Sequence, residues 1–376
     1  MKIAFAHCRI QPGWAYNVLK HLIQNTKRDE ARIFTFISYE KSVVIEWRKI
    51  EIISALPGLL SSLLFLWQKS RRWRIKTITD YRNFIIFAPF ITRILSRKIK
   101  KYYPNNVIIS SFALAKNIQT PFKTTLYLHS PMQYIRTHYE EYKQKITGRK
   151  WYIFRFFAPL LQKRDQKHRS YDIVYTNSKY TQKICKELYK QDSIVSYPPV
   201  NKQYRKTKVQ ENEHKEYFVY DGRLVSFVKE VDRIIHACNT TKTQLIVIWS
   251  WPDESYLKSI AWDSIIFVPW IDDHTQRIDI IQWAKALINI TKESFGISTA
   301  EAMLLWVPVL GYNQWATPEL VDKKSGILID NKKQETIIKA IEKIQARVFD
   351  KTYIKNHIQD IIQKNPPQGR EKYIST

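Results

Sequence analysis

The sequence predicts an α/β protein of two doubly wound domains, and three observations lead there. At 376 residues the chain has room for two domains. Short apolar runs alternate with amphipathic stretches along most of it, the pattern of parallel strands joined by helices. Two of those runs lead through a glycine-containing turn into a helix, as nucleotide-binding α/β domains begin: Lys2–His7 before Pro12-Gly13-Trp14-Ala15, and Tyr217–Tyr220 before Asp221-Gly222-Arg223-Leu224.

In chain order, Lys2–His7 is a buried strand by its apolar run, followed by an amphipathic helix from about Ala15 to Gln24. Arg32–Ser38 is the second strand. Residues 50–103 read as largely helical and strongly basic, with Leu59–Lys76 and Ile85–Lys101 each mixing an apolar stripe with Lys and Arg. Such helices suit an anionic membrane surface, and equally the charged outer face of an ordinary domain helix. Asn106–Ser111, Thr124–His129 and Tyr171–Ser178 are further strands. The polar stretch Glu211–Glu216 reads as a hinge, placing the domain boundary near residue 205. Strands follow at Tyr217–Tyr220, Leu245–Ile248, Ile265–Trp270, Ala286–Ile290 and Val307–Leu310. The tail, Gln334–Phe349 and Tyr353–Lys364, is helical. This gives an N-terminal domain over 1–205, a C-terminal domain over 206–350 and a terminal helical segment over 351–376.

Composition narrows the function. Lys and Arg outnumber Asp and Glu by 61 to 34, a formal charge of +27, and residues 1–130 alone carry 22 against 6. Such an excess suits nucleic acid, anionic lipid or a phosphorylated substrate. No nucleic-acid-binding signature and no zinc spacing accompanies it, so a membrane-facing or diphosphate-binding surface is expected, on top of plainly solvated basic faces. Cys8, Cys185 and Cys238 are far apart and form no C-x-x-C, as in a reduced cytosolic protein. The start MKIAFAH reads as a strand rather than a signal peptide. The longest uncharged run, Ile52–Trp67, falls short of a spanning helix.

The stretch Thr291–Leu320, TKESFGISTAEAMLLWVPVLGYNQWATPEL, carries the chemistry. Glu293 and Glu301 stand seven residues apart, with Phe295-Gly296 between them at the mouth of a helix. Ser298 and Glu301 have capping-box spacing, which starts the helix near Ser298. The free amides of that helix start suit an anion such as phosphate. Elsewhere His129 closes a strand in His129-Ser130-Pro131-Met132, at the sheet edge where open α/β folds bind ligands, although a structural histidine is the plainer reading. Arg223 and Lys229 flank a strand-to-helix turn and could clamp a diphosphate. Asp272-Asp273 reads as helix-start acids, not as a metal motif.

E-x7-E followed by a helix, a V-P-V strand and T-P-E-L resembles the donor site of family-4 retaining glycosyltransferases of the GT-B fold. The strings around His129 and at Ser196-Tyr197-Pro198-Pro199-Val200 resemble its mannosyltransferase-like branch. The resemblance implies two Rossmann-like domains facing across a cleft, with the last helix folding back over the first. It implies that Glu293 contacts donor-sugar hydroxyls and Glu301 the ribose. The amides of Gly296 and Ile297, flanked by Ser294 and Phe295, hold the diphosphate together with Arg223 and Lys229. His129 lines the sugar site, and Gly13, Trp14 and Ser250 stand in loops beside the donor. The chain has one residue more than usual between Arg223 and Lys229. The implied reaction is transfer of a sugar, with mannose as the suggested one, from a GDP- or UDP-linked donor to a carbohydrate or lipid-linked hydroxyl. Anomeric configuration is retained, and no metal or cofactor is required. The setting is cell-surface polysaccharide or glycolipid synthesis in the cytoplasm, peripheral to the inner face of the plasma membrane. Other readings are an inactive sugar-nucleotide-binding or scaffold protein, a sugar-phosphate epimerase of the same fold, and a basic membrane- or nucleic-acid-binding protein.

Glycine is scarce: 8 residues, where average usage of about 7% would give about 26, against 12 tryptophans. Trp249-Ser250-Trp251-Pro252 stands where the resembled family has G-S-G-P. Trp14, Trp306 and Trp315 also occupy its glycine positions. These five are expected to be glycines in the cell, through UGA read as glycine there and as tryptophan in this translation. The alternative is a decayed or divergent enzyme. Trp270 is an ordinary family tryptophan, and Trp47, Trp67, Trp73, Trp151, Trp262 and Trp283 are left open.

Overall fold

The computed structural model describes residues 1–364 apart from 11–12, 27–29, 39, 56–86, 168, 210–214, 249–252, 270 and 272. The chain divides into one unit over residues 1–199 and a second running from Val200 through the C-terminal helix. The division falls a few residues before the expected boundary near 205. The cause is Tyr204, fully buried on the short helix Lys202–Lys206, whose ring meets that of His274 at 5.8 Å and ties this stretch to the second unit.

The first unit is built on an eight-stranded sheet: β1 (Lys2–Arg9), β2 (Glu30–Ile37), β3 (Ser42–Ile45), β4 (Arg48–Ser54), β5 (Asn106–Ser111), β6 (Lys123–Leu128), β7 (Ile173–Thr176) and β8 (Ile194–Val195). Their order is β3-β4-β2-β1-β5-β6-β7-β8, parallel except for the β3–β4 hairpin. The continuous apolar run of β1 is what a strand covered on both faces requires. Ile3 and Phe5 pack with Val18, Leu19 and Leu22 of the helix Trp14–Gln24. Ala4, Ala6 and Cys8 point the other way, toward Ile91, Leu95 and Ile99 of the helix Ala88–Tyr102.

The second unit holds six parallel strands: β9 (Lys215–Asp221), β10 (Gln244–Ile248), β11 (Ile265–Val268), β12 (Ala284–Asn289), β13 (Val309–Tyr312) and β14 (Gly326–Ile329). The order β11-β10-β9-β12-β13-β14 is the 3-2-1-4-5-6 arrangement of a Rossmann domain. Strand order therefore reverses between β9 and β12, and between β1 and β5 in the first unit. Ligands of open α/β sheets bind beyond the carboxyl ends of such strands.

Several expectations need correction. Residues 50–54 are the strand β4, not helix, and the hairpin, β8 and β14 were not anticipated. Leu59–Lys76 lies outside the described residues. Of Ile85–Lys101, the described part is the helix Ala88–Tyr102. The strand expected at Val307–Leu310 begins at Val309, because the Val307 N–H still bonds back to the Ala302 carbonyl at 3.0 Å. The hinge residues 211–214 lie outside the described residues, and Lys215 and Glu216 already belong to β9. The helix Lys351–Lys364 belongs to the second unit, where it packs on the helix Ile297–Leu304 and buries Ile354, Ile358 and Ile362. Among the described residues, no helix is long and apolar enough to cross a membrane.

Candidate active site

The second unit gathers most of the expected residues at its switch point. β9 ends at Asp221, and the chain continues through Gly222 and Arg223 into the short helix Ser226–Lys229. Asp253 fixes that turn: its Oδ2 accepts from the Ser226 N–H at 2.7 Å and the Ser226 hydroxyl at 2.8 Å. β12 ends at Asn289 and delivers Thr291 and Glu293. The Lys229 ammonium hydrogen-bonds to Glu293 Oε1. The single Thr291 hydroxyl proton serves two acceptors, Asn289 Oδ1 at 2.6 Å and Glu293 Oε1 at 3.0 Å. Asn289 Nδ2 in turn donates to Thr299 Oγ1 at 3.1 Å. Burial raises the Glu293 pKa, but the Lys229 charge, the bonds from Lys229 and Thr291 and the Arg223 charge outweigh it, so the carboxyl is held below its ordinary range. Arg223 itself is exposed. The structure brings Glu293, Arg223 and Lys229 together, and the extra residue in the loop does not remove Lys229 from the cluster.

Gly296 takes φ 96 and caps the helix Ile297–Leu304, with Ser294 and Phe295 buried just before it. The first amides of that helix have no intrahelical acceptor. The expected capping box does not form: the helix has no side-chain cap, and Glu301 points elsewhere. Glu301 Oε2 lies 3.1 Å from Arg277 Nη2. The same guanidinium bonds Asp221 Oδ2, through Nη2 and through Nε at 3.1 Å. One buried cation therefore serves two buried carboxylates. Burial first, and then the Asp221 charge, push the Glu301 pKa up to about 7 against the opposing pull of Arg277. Arg277, on the helix His274–Ile281, went unnoticed in the sequence because an isolated arginine in an amphipathic helix reads as surface. Asp221 carried one faint signal, an acid closing an apolar strand at the sheet edge. On the same helix, Asp273 Oδ1 accepts from the Thr275 N–H at 2.8 Å, the capping role expected of it, while Asp272 lies outside the described residues.

In the first unit, His129 follows β6 and is fully buried. Its Nε2 lies 2.7 Å from Ser110 Oγ, which is also 3.1 Å from His7 Nδ1, and His129 Nδ1 has no hydrogen-bond partner among the described residues. Burial, then the neighbouring His7, lower its pKa well below the ordinary histidine value, so the ring is neutral at pH 7. The Trp14 indole stands edge-on against it, ring centroids 4.8 Å apart, directly after Gly13, which caps its helix at φ 151. Ser250 lies outside the described residues. Among the described residues no group of His, Cys, Asp and Glu is placed to hold a metal ion.

Solved structures share this architecture over nearly their whole length. Sucrose-phosphate synthase from Thermosynechococcus elongatus superposes with a TM-score of 0.71 at 14% identity, over 97% of this chain and 94% of that one. WaaG, a glycosyltransferase involved in lipopolysaccharide biosynthesis, gives 0.61 at 13% identity over 99% and 96%. The fold is GT-B. Anabaena HepE in complex with UDP-glucose gives 0.58 at 16% identity over 97% and 100%. Residues 201–352, most of the second GT-B unit, match the family model described as Glycosyl transferases group 1. No curated protein matches the sequence.

Proposed function

We propose that this GT-B protein transfers a sugar from a nucleotide-diphosphate sugar to an acceptor hydroxyl. The observation that supports it most is the contact of Lys229 with Glu293 at the switch point, beside Arg223 and the open amides of the helix at Ile297. Two cations and a helix start offer a seat for a leaving diphosphate. In this reading Glu293, held ionised, accepts from donor-sugar hydroxyls. Glu301, whose Oε2 lies on Arg277, binds the ribose in the same reading. The transfer so read retains anomeric configuration without a covalent enzyme intermediate and needs no metal or cofactor. HepE is solved with UDP-glucose, which favours a uridine donor over the GDP-mannose suggested by the motif resemblance. The acceptor is read as a carbohydrate or lipid-linked hydroxyl of cell-surface polysaccharide or glycolipid synthesis.

The tryptophans decide whether the printed sequence can work. Trp306 and Trp315 sit at φ 56 and φ 63, the left-handed region that favours glycine. The Trp306 indole N–H is buried without a hydrogen-bond partner among the described residues, and Trp14 fills the space against His129. Trp249 and Trp251 lie outside the described residues. These observations support glycine at 306 and 315, and the crowding of His129 is consistent with it at 14; for 249 and 251 the reading rests on the motif resemblance alone. One observation favours the rival, a divergent chain that keeps its tryptophans: Trp306 is fully buried and packed, with Lys355 Nζ over its ring at 5.4 Å. Codons at 14, 249, 251, 306 and 315, with peptide masses of the native protein, separate the two; UGG codons there sink the glycine reading.

The functional test uses whichever form the masses dictate. A thermal-shift screen of UDP-, GDP- and ADP-sugars should raise the unfolding midpoint with one base class, since ligand binding to the folded state stabilises it by mass action. Acceptor-dependent release of free nucleoside diphosphate should follow. Binding without release would leave a sugar-nucleotide-binding protein, and no shift with any donor would end the proposal.

A further inference from the structure

We propose that His7 and Ser110 form a hydrogen-bond relay that fixes the tautomer of His129, so that this ring presents a protonated Nδ1, a donor for a ligand oxygen, at the switch point of the first sheet. Strand register brings the three together. His7 on β1 and Ser110 on β5 are register partners, at the place where strand order reverses. His129 follows β6, tied there by its backbone N–H to the Ser111 carbonyl at 2.8 Å. All three side chains are buried.

The proton positions follow from what each atom can do. Burial lowers both histidine pKa values, that of His7 to about 4, so each ring is neutral at pH 7 and carries one proton. His7 Nδ1 lies 2.9 Å from the Ser110 carbonyl oxygen, which can only accept, so the His7 proton is on Nδ1. The same N–H faces Ser110 Oγ at 3.1 Å, and that hydroxyl accepts from it. Ser110 Oγ has one other partner among the described residues, His129 Nε2 at 2.7 Å. A hydroxyl proton given to Nε2 leaves the His129 proton on Nδ1. The opposite tautomer would aim two N–H groups at one hydroxyl. The hydroxyl proton would then have no acceptor among the described residues, a second buried orphan beside His129 Nδ1.

The relay leaves one group unsatisfied. His129 Nδ1 has no hydrogen-bond partner among the described residues, and its ring packs against those of Trp14 at 4.8 Å and Tyr127 at 4.9 Å. A buried donor without an acceptor is costly, and a ligand oxygen would complete it. Because the ring is neutral, a neutral oxygen such as a sugar hydroxyl suits it better than the diphosphate, which calls for charged donors. Where residue 14 is glycine, the indole beside His129 is gone and its volume is open to that ligand. Ser110 and His7 touch no substrate in this scheme and are positioning residues. The ligand rests on the sugar-transfer reading; the tautomer does not.

The full chain, in the form its peptide masses dictate, is isotope-labelled, and long-range proton–nitrogen correlation at pH 7 reads each ring nitrogen of His129 as protonated or bare. The unsubstituted chain should show Nδ1 protonated and Nε2 bare, a result that needs no variant. Ser110→Ala should lose that pattern, and Ser110→Thr, which keeps the hydroxyl, should restore it; unfolding midpoints verify that both fold. With the sugar nucleotide that the donor screen selects, kcat/KM should fall about fivefold to tenfold in Ser110→Ala and recover in Ser110→Thr. Affinity for free nucleoside diphosphate should stay unchanged, because the proposed diphosphate seat belongs to the second unit. A bare Nδ1 in the unsubstituted chain, or a protonated Nδ1 kept in Ser110→Ala, overturns the relay. An unchanged kcat/KM in Ser110→Ala with the tautomer lost overturns its positioning role. Failure of every donor to bind ends the sugar-transfer reading alone, and the nitrogen signals still judge the relay.

Discussion

Replacing Trp315 by glycine and by alanine isolates the backbone from everything else at that position. Trp315 is half-buried at φ 63, and Ala316, the next residue, donates its N–H to the Glu293 carbonyl at 3.1 Å. The backbone at 315 is therefore tied to the backbone of Glu293. Both variants lose the same indole contacts, so burial cancels in the comparison. What remains is the left-handed backbone, which costs a residue with a Cβ roughly 1–2 kcal/mol and glycine little. At an ordinary helix or strand position the order is the reverse, with glycine about 0.5–1 kcal/mol below alanine. Trp315→Gly should thus exceed Trp315→Ala by about 1 kcal/mol in urea unfolding at equal m, or roughly 2–4 °C in midpoint for a unit of this size. If glycine is the native residue, Trp315→Gly should also match or exceed the tryptophan chain. Trp306 makes the harder comparison, because its fully buried indole would leave a cavity costing about 3–5 kcal/mol. Against that stand roughly 1–2 kcal/mol of backbone strain and about 1–3 kcal/mol for the unpaired indole N–H. An alanine variant at 315 as stable as the glycine variant would refute the left-handed backbone and remove the main physical support for glycine there.

Three further outcomes are expected. Glu293→Gln should cut turnover by about 10²–10³ while leaving the diphosphate nucleotide bound, read by initial rates and calorimetry, since the loss falls on charge at the reacting sugar; wild-type turnover would remove Glu293 from the site. Arg223→Ala should weaken UDP- or GDP-sugar and free nucleoside diphosphate alike but spare the nucleoside, whereas equal loss for all three would make Arg223 structural. Glu301 titrates near 7 in the folded chain against an ordinary 4.5, so its contribution to stability is complete below pH 4.5 and is lost as pH rises through 7, by at most about 3 kcal/mol. Glu301→Gln should flatten that fall. The buried neutral His7 and His129 of the first unit, their pKa values lowered, act in the opposite sense, losing stability as pH drops below 6.5. An unchanged pH profile in Glu301→Gln would mean that the carboxyl titrates at its ordinary value.

What could be read from the sequence was whatever local chemistry determines. The buried strands β1, β5 and β12 announce themselves because a strand covered on both faces carries an apolar run at its centre, as in Val107–Ile109 and Ala286–Ile288. Gly222 and Gly296 mark turns beside the carboxyl ends of such strands, but it is the resemblance to the glycosyltransferase motif that groups Arg223, Lys229 and Glu293 into one expected site. The hairpin β3–β4 was hidden because its Glu46-Trp47 turn lacks the usual Asn-Gly or Gly residues. Left-handed residues of ordinary type, Glu46 and Glu230 among them, give no compositional warning. Arg277 was out of reach for a different reason. Its importance lies in two acids delivered by other elements, one closing β9 and one on the helix after Gly296, and no local pattern encodes a three-way meeting of side chains.

That meeting changes how the two glutamates of the E-x7-E motif should be understood. Glu293 is paired with Lys229 and held ionised, whereas Glu301 shares Arg277 with Asp221 and titrates near neutrality. One cation between two buried carboxylates leaves a net negative charge in a dry site, and the cheaper remedy is a proton on one acid. Arg277 grips Asp221 through two nitrogens and Glu301 through one, so its charge offsets the burial of Glu301 only in part. A ribose arriving with two hydroxyl donors would supply the missing hydrogen bonds to the carboxylate and favour its ionised form. Donor binding would then release a proton near pH 7. The two members of one motif thus separate by environment alone: Glu293 is held ionised beside Lys229, while Glu301 shares one guanidinium with Asp221 and has its pKa raised.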